Sequence, residues 1–203
     1  MKNIISVAPM VDKTDRNFRN FVRMINKDIM LYTEMITAQA IINGKLDYIL
    51  GVEDTENPIV LQIAATNKEE ARKAVKLAEK VAEIVSEMKK ETKKDISIKH
   101  RIGIDGSGVL PDDYGRTLID KYEDMINFVN ITENVGVEKY IVHARIAILA
   151  GLDPKQNREI PPLRYDEVYR LKKEKPHLSI EINGGIKTIN QIDEHLTYVD
   201  SVM

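Results

Sequence analysis

The chain has 203 residues, 43% of them hydrophobic, which suits one globular domain with a substantial core. Its formal net charge of -2 does not indicate nucleic-acid binding, although a local basic patch is compatible with it. Cysteine is absent and the four histidines lack metal-ligand spacing, so we expect no disulfide, no catalytic thiol and no metal site. No apolar run is long enough to span a membrane and the N-terminus lacks signal-peptide features, so we expect a cytoplasmic protein without a membrane partner.

The first 90 residues predict strands that alternate with helices. Thr14 is the expected N-cap of the first helix, because a hydroxyl just before an apolar periodic segment can accept the free backbone N–H groups. A second helical stretch is expected around Ala38–Ile42, and a long helix over Lys68–Lys90, where apolar residues recur at helical spacing. Strands are expected at Ile4–Ala8, Ile29–Met35 and Pro58–Ala64.

The rest of the chain continues this alternation. Strands are expected at Ile96–Arg101, Lys139–Arg145 and Leu178–Ile182, and helices at Thr117–Asn130, Tyr165–Lys175 and from the Thr188–Gln191 capping box to Leu196. The final DSVM is typical of another strand. Alternating elements predict an α/β fold with a parallel sheet. We expect a TIM-type (β/α) barrel, because polar residues cluster at the strands' carboxyl ends. An open doubly wound sheet is the alternative, but APMVDKTD lacks the glycines of a dinucleotide turn.

Two of these strands carry cations on one face. Because side chains alternate along a strand, the following share a face within each strand: Ser97, Lys99 and Arg101 in one, and Ile141, His143 and Arg145 in the other. Either strand alone is explained more simply as an edge strand with one solvated face. Two strands that end alike favour a site for an anionic or electron-rich ligand.

Three further features carry chemistry. In SIEINGGIKT, the glycines after Asn183 allow backbone N–H groups to approach a phosphate. The alternative is an Asn-Gly hairpin turn, although a capped helix follows at once. Gln62 lies in an apolar strand and needs a partner, either neighbouring backbone or a polar ligand. The loop with Lys155, Asn157 and Arg158 has the polar character of a functional loop.

Several segments together resemble the tRNA-dihydrouridine synthase family, and within it the bacterial A branch. The resemblance implies an FMN-dependent TIM barrel with a C-terminal helical domain. Such enzymes reduce the C5–C6 double bond of uridines in tRNA, in the A branch in the D-loop, and NADPH reduces the flavin. The segments that carry the resemblance are SVAPMVDKTDRNFR, LYTEMITAQAI, GKLDYIL, NPIVLQIA, IKHRIGID, IVHARIAILAGLDPKQNREIPPL and SIEINGGI.

The resemblance also implies a set of site residues. Lys155 and Arg158 match positions that touch tRNA, where basic side chains hold the backbone while the target base is turned out. The implied cofactor contacts are Pro9, Met10 and Val11 against the flavin ring, Gln62 and Lys99 at its pyrimidine edge, His143 as a further contact, and Asn183, Gly184 and Gly185 around the FMN phosphate.

The chain departs from the family pattern in one respect that matters for chemistry. The family's Asn-x-Gly-Cys-Pro motif supplies a cysteine that protonates C5, whereas here Leu77–Lys80 runs directly into the helix beyond that motif. We therefore expect no catalytic residue, little dihydrouridine formation and the loss of at least about 30 residues of a βα unit. The expected domain is a single truncated barrel over residues 1–203, without the last strand region and the helical tRNA-binding domain. Unpaired strand edges would weaken it and favour self-association.

Two alternatives remain open from the sequence. One is a non-catalytic remnant or fragment that retains at most weak FMN or tRNA binding. The other, which the residue matches disfavour, is a different phosphate-binding barrel enzyme such as an isomerase or aldolase. A yellow colour on purification would separate the flavin-binding interpretations from the last one.

Overall fold

A computed structural model describes residues 4–37, 40, 56–64, 82, 85–86, 88–107 and 118–203. The chain divides into two compact units, residues 1–68 with Met203, and residues 69–202. Apart from Ala40, the helix predicted around residues 38–42 lies outside the described residues. So does most of the long helix predicted over residues 68–90, including the Lys80–Val81 junction.

In the unit of residues 1–68, the described ranges include short parallel strands and a helix. Its elements are β1 (Ile4–Ile5), α1 (Arg16–Ile25), β2 (Leu31–Tyr32), β3 (Ile36–Thr37), β4 (Ile59–Val60) and β5 (Ile63–Ala64). Strand β2 pairs with β4 and β3 with β5, while a parallel bridge joins Ser6 to Met30. The predicted strands at Ile29–Met35 and Pro58–Ala64 are each divided into two, because pairing breaks between the two-residue ladders.

The first helix begins one residue later than predicted. Asp15, not Thr14, is the N-cap, and its carboxylate accepts a hydrogen bond from the Phe18 amide at 2.8 Å. The Thr14 hydroxyl instead accepts from the Met10 amide at 2.9 Å and donates to the Met10 carbonyl at 3.1 Å. Thr14 therefore closes the turn before the helix, and Asp15 starts the helix itself.

Two buried arginines fix α1 to the strands of this unit. Arg19 forms an ion pair with Glu56 at 2.6 Å, and both side chains are buried. Arg23 donates to the carbonyls of Glu56, Pro58 and Ile29 at 3.0, 2.8 and 2.9 Å. These carbonyls lie just before β2 and β4, so Arg23 holds α1 against the starts of both strands.

The unit of residues 69–202 contains the longer sheet. Its strands lie in the order β10-β9-β8-β6-β7, parallel throughout except for the antiparallel β6–β7 pair. The elements are β6 (Ser97–Asp105), β7 (Leu118–Ile119), α2 (Tyr122–Glu133), β8 (Lys139–Ile148), α3 (Gln156–Glu159), α4 (Tyr165–Glu174), β9 (Ser179–Asn183), α5 (Ile189–His195) and β10 (Ser201–Val202).

Several predictions for this unit are confirmed and others need correction. Thr188 caps α5 in a capping box with Gln191, and the final DSVM segment forms β10. Strand β6 runs to Asp105, beyond the predicted Arg101, because its pairing with β8 continues past a register shift. The helix predicted at Thr117–Asn130 begins only at Tyr122, because Leu118–Ile119 pairs with the end of β6.

Helices α2 and α4 cover one face of this sheet and form the core with it. Val129 and Leu171 are fully buried beside the strand residues. Burial is continuous over Tyr140–Arg145 of β8 and Ile180–Asn183 of β9, as in the central strands of a parallel sheet. The described part of the chain is α/β with mixed sheets, which confirms the predicted fold class, and these residues form no closed barrel. No helix within the described ranges is long and apolar enough to cross a membrane.

Candidate functional site

Strand register places polar side chains in rows across β6, β8 and β9. Lys99 pairs with Ile141 and Ile141 with Glu181 in one row, and the next row is Arg101, His143 and Asn183. On the opposite face His100 packs against the rings of Phe128 and Tyr140, with centroids 5.1 and 6.0 Å away. The predicted alternation within β6 is therefore confirmed. The second row lies at the carboxyl end of β9 and in the middle of the longer strands β6 and β8. Ligands of parallel sheets bind beyond the carboxyl ends of the strands, so Asn183 lies where such a ligand would be.

Lys99 and Asn183 meet across this face. The Lys99 ammonium donates to Oδ1 of Asn183 at 3.2 Å, although the two residues are 84 positions apart. The pKa of Lys99 is lowered to about 8, first because surrounding protein removes hydration and then because Arg101 repels its charge, while Glu181 acts in the opposite direction. Lys99 is therefore a cation at pH 7 that releases its proton more easily than an ordinary lysine.

His143 is a buried, neutral side chain beside this pair. Its pKa is lowered to about 3, chiefly by burial and further by the positive charges of Arg101 and Lys99. Its Nδ1 atom has no hydrogen-bond partner among the residues that the structure describes. A neutral imidazole with a free ring nitrogen can donate or accept one hydrogen bond to a ligand.

The turn after β9 requires both of its glycines. Gly184 and Gly185 have φ angles of +119° and +73°, which L side chains rarely adopt. A Cβ atom on Gly185 would lie 2.6 Å from a methyl carbon of Leu163, and one on Gly184 would lie 3.3 Å from Nε2 of His143. Tyr165 donates to the Gly184 carbonyl at 2.6 Å. The turn is therefore held in shape by neighbouring side chains, and its two glycines place no side chain over the backbone.

Arg101 and Asn157 hold the loop that follows β8. The Arg101 guanidinium donates to the carbonyls of Ile146 and Asn157, both at 2.9 Å. The Asn157 side chain accepts from the Ile148 amide at 2.8 Å and donates to the Ile148 carbonyl at 2.9 Å. Both residues therefore have structural roles that the sequence did not reveal. The same loop carries Lys155 and Arg158 with exposed side chains.

The remaining predicted cofactor contacts, Pro9, Met10, Val11 and Gln62, lie in the unit of residues 1–68. Met10 and Val11 are 42% and 54% exposed in the turn that Thr14 closes, and Pro9 precedes them half-buried. Gln62 lies in the break between β4 and β5, not inside a strand as predicted. Its backbone N–H donates to the Thr33 hydroxyl at 2.9 Å, and its backbone carbonyl accepts from the Ile36 amide at 3.0 Å.

Positive charge dominates the polar side chains around the second row. Burial lowers the pKa of Arg101, and the nearby Arg145 and Arg158 lower it further. Together with Lys99, these arginines surround a neutral His143, which suits an anionic or electron-rich ligand. Within the described ranges, no group of His, Asp and Glu side chains is arranged to hold a metal ion.

Comparison with known families gives a match over nearly the whole chain. The family model described as Dihydrouridine synthase (Dus) matches residues 6–84 and 77–203 in two segments that overlap at residues 77–84.

Curated relatives match over a similar range. A protein of Synechocystis sp. named tRNA-dihydrouridine(20/20a) synthase is 40% identical over 233 aligned positions, which include 99% of this chain and 66% of that protein. Proteins with the same name from Vibrio parahaemolyticus and Escherichia coli (strain K12) are each 38% identical, with 67% and 63% of their lengths covered. The chain thus spans about two thirds of the length of these relatives, and the aligned positions outnumber its 203 residues.

Proposed function

The chain belongs to the dihydrouridine synthase family, and from this premise we propose that it derives from an FMN-dependent enzyme that reduces uridine to 5,6-dihydrouridine in tRNA, with NADPH as reductant. The observation that carries the proposal is the meeting of Lys99 with Asn183 beside neutral His143 and the bare glycine turn. An anionic, aromatic nucleotide cofactor needs these features: a cation, an amide, a free imidazole nitrogen and glycine backbone that a phosphate can approach.

The residues fit an FMN group in three ways. The Asn183–Gly185 turn offers a backbone that a phosphate can approach, because any added Cβ would strain or clash. His143 has an orphaned Nδ1 atom that a ligand can satisfy. Lys99 supplies a positive charge for the pyrimidine edge of the ring. For Pro9, Met10, Val11 and Gln62, a flavin contact is proposed from the family resemblance alone.

The chemistry of these side chains follows from their charge states. Bound flavin would supply a hydride to C6 of the uracil. Lys99, cationic at pH 7, stabilises negative charge on a ligand beside it, and its lowered pKa reflects the cost of holding that charge in place when no anion is bound. His143 adds a hydrogen bond without adding charge, because its pKa of about 3 keeps it neutral.

We further propose tRNA as the partner, with the D-loop as the region that carries the target uridine. The support is the pair of exposed cations in the loop after β8, Lys155 and Arg158, held in place by Arg101 and Asn157. Basic side chains at the rim of a site bind the phosphate backbone, and the base is turned out of the stack. A tRNA substrate would make the cytoplasm the expected location.

For the fold we propose one TIM-type barrel domain that lacks an internal βα unit. Parallel pairs predominate in each unit, β2 with β4 and β3 with β5 in one and β8 with both β6 and β9 in the other, as between the strands of such barrels. The Synechocystis alignment has 233 positions against 203 residues in the chain, so at least 30 positions have no counterpart here, and the two family-model segments overlap near the Lys80–Val81 junction. Both facts support the loss of a segment of βα size.

Catalytic impairment is part of the proposal, with a non-catalytic FMN- or tRNA-binding remnant as the second candidate. The absence of cysteine favours both, because a general acid contributes about 10²- to 10⁴-fold to a rate. We expect purified protein reconstituted with FMN to form dihydrouridine at least about a hundredfold more slowly than a cysteine-containing relative, measured by mass spectrometry of unmodified tRNA incubated with NADPH.

The outcomes of this experiment separate the parts of the proposal. A yellow protein that releases FMN on denaturation and turns over slowly supports both the flavin site and the impairment. A protein that binds no flavin at all contradicts the assignment of the site. Turnover at the rate of the relative contradicts the role given to the missing cysteine.

A further inference from the structure

Arg145 is a buried arginine whose hydrogen-bonding capacity is largely unused. The residue is only 8% exposed, yet its Nε and Nη1 atoms have no partner among the described residues. The remaining contact is from Nη2 to the Glu159 carbonyl at 3.5 Å, which is too long for a strong hydrogen bond. Unsatisfied donors on a buried cation are costly, so their persistence indicates a ligand that satisfies them.

The backbone directs this side chain specifically. Between Arg101–His143 and Gly103–Ile146 the β6–β8 register shifts, so that Ala144 and Arg145 lie opposite Ile102. A bulge of this kind re-aims a side chain and is common beside binding sites. The position of Arg145 is therefore a local feature of β8, and simple alternation along the strand does not determine it.

The guanidinium acts electrostatically on two side chains that adjoin the glycine turn. It is close enough to His143 and Tyr165 to influence the pKa of each. Both of those side chains adjoin Gly184, Tyr165 by its hydrogen bond to the carbonyl and His143 by the approach of Nε2.

The charges around Arg145 indicate the kind of ligand. Arg101 and Arg158 also lie close by, and Arg101 uses its guanidinium on two carbonyls of the loop. Like charges gathered around a buried guanidinium are unfavourable unless an anion neutralises them. A phosphate matches the planar fork of an arginine and carries the required charge.

We propose that Arg145 binds a phosphate group through its free Nε and Nη1 atoms. The inference rests on the proposed function, since the phosphate would come from FMN or from the RNA backbone. Both sources offer the same phosphate chemistry. They are distinguished by whether the affinity for FMN or the affinity for tRNA depends on Arg145.

The test compares Arg145→Met and Arg145→Lys with Lys173→Met, which removes a positive charge from an exposed position in α4. Affinities are measured by titration for FMN, for riboflavin, which lacks the phosphate, for unmodified tRNA with FMN present, and for inorganic phosphate at constant ionic strength. We expect Arg145→Met to lower the affinity for the phosphate ligand about ten- to hundredfold, as for the loss of a charged hydrogen bond. Arg145→Lys should lower this affinity less.

Each outcome decides between the possibilities. If Arg145→Met lowers the affinity for FMN but not for riboflavin, the phosphate is that of the cofactor. If it lowers the affinity for tRNA and leaves the affinity for FMN unchanged, the phosphate is that of the RNA. Wild-type protein that binds neither FMN nor tRNA contradicts the proposed function, whereas inorganic phosphate binding that depends on Arg145 still supports this inference. Affinities of Arg145→Met within twofold of wild type for all phosphate ligands overturn it. If Arg145→Met does not fold, the Lys variant gives the same comparison.

Discussion

The two units of the molecule place side chains with different precision. In residues 69–202 the strands β6, β8 and β9 have nine, ten and five residues, and β8 pairs with both neighbours. In residues 1–68 strands β2 to β5 have two residues each. Long paired strands fix which face each side chain takes, as for Lys99 and Asn183. Gln62, in a break between short strands, is placed by individual backbone hydrogen bonds instead.

The difference extends to packing. Ile182 of β9 is fully buried in the core of its unit, whereas Ile63 of β5 is 41% exposed. Similar apolar strand sequences therefore contribute unequally to stability. Truncation of these two isoleucines compares the units directly, and variants of the glycine turn and of His143 test how firmly residues 69–202 place their side chains.

The largest effect is expected from truncating the buried strand residue. Ile182→Ala should lower the free energy of unfolding by about 2–5 kcal/mol, because a fully buried isoleucine leaves a cavity. The matched change Ile63→Ala should cost about 1 kcal/mol or less, since part of that side chain already contacts water. Urea denaturation followed by circular dichroism measures both. Equal losses in the two variants would remove the contrast between the units.

A second pair of variants examines the glycine turn. Gly185→Ala should cost about 2–4 kcal/mol, because backbone strain at φ +73° adds to a clash with Leu163. Gly151→Ala is the matched control: its φ is +75°, but no atom lies within 4 Å of the added Cβ, so strain alone should cost about 1 kcal/mol. The difference in denaturation midpoint reports the packing. Identical midpoints would mean that Leu163 moves aside freely.

The smallest effect concerns pH and the buried histidines of the longer sheet. His100 and His143 have pKa values of about 4 and 3, whereas an unfolded histidine titrates near 6.5. Between these values the unfolded chain binds more protons, so stability should fall as pH drops from 7 to 5. His143→Gln should reduce that fall, measured as the change in urea midpoint between the two pH values. An unchanged fall in His143→Gln would contradict a neutral, buried His143.

The sequence predicted the parts of the fold that depend on local chemistry. The Thr188–Gln191 capping box, the β10 strand and the alternation that opposes Lys99 to His100 all follow from neighbouring residues. The predicted end of one strand at Arg101 and the predicted start of a helix at Thr117 were wrong. The observed boundaries, Asp105 for β6 and Tyr122 for α2, depend on pairing with distant strands. Tertiary partners, not propensity, decide such boundaries.

The sequence named candidate residues that meet in the structure, but it did not indicate the residues that hold them in place. The residues expected around the phosphate turn lie together, yet Leu163 and Tyr165, which fix its shape, gave no signal beyond an ordinary loop and helix start. Arg145 was placed by alternation alone, and the register shift beside it depends on how two strands align. Contacts of this kind join residues about 20 to 40 positions apart, where a single sequence carries no information on distance.

The most direct measurement is an FMN titration, followed by flavin fluorescence, of wild-type protein, Lys99→Met and the exposed control Lys173→Met. If the flavin binds over the face where Lys99 meets Asn183, the wild type and the control bind FMN with equal affinity, and Lys99→Met binds at least about tenfold more weakly. Equal affinity in all three proteins would show that the cofactor, if it binds, lies elsewhere.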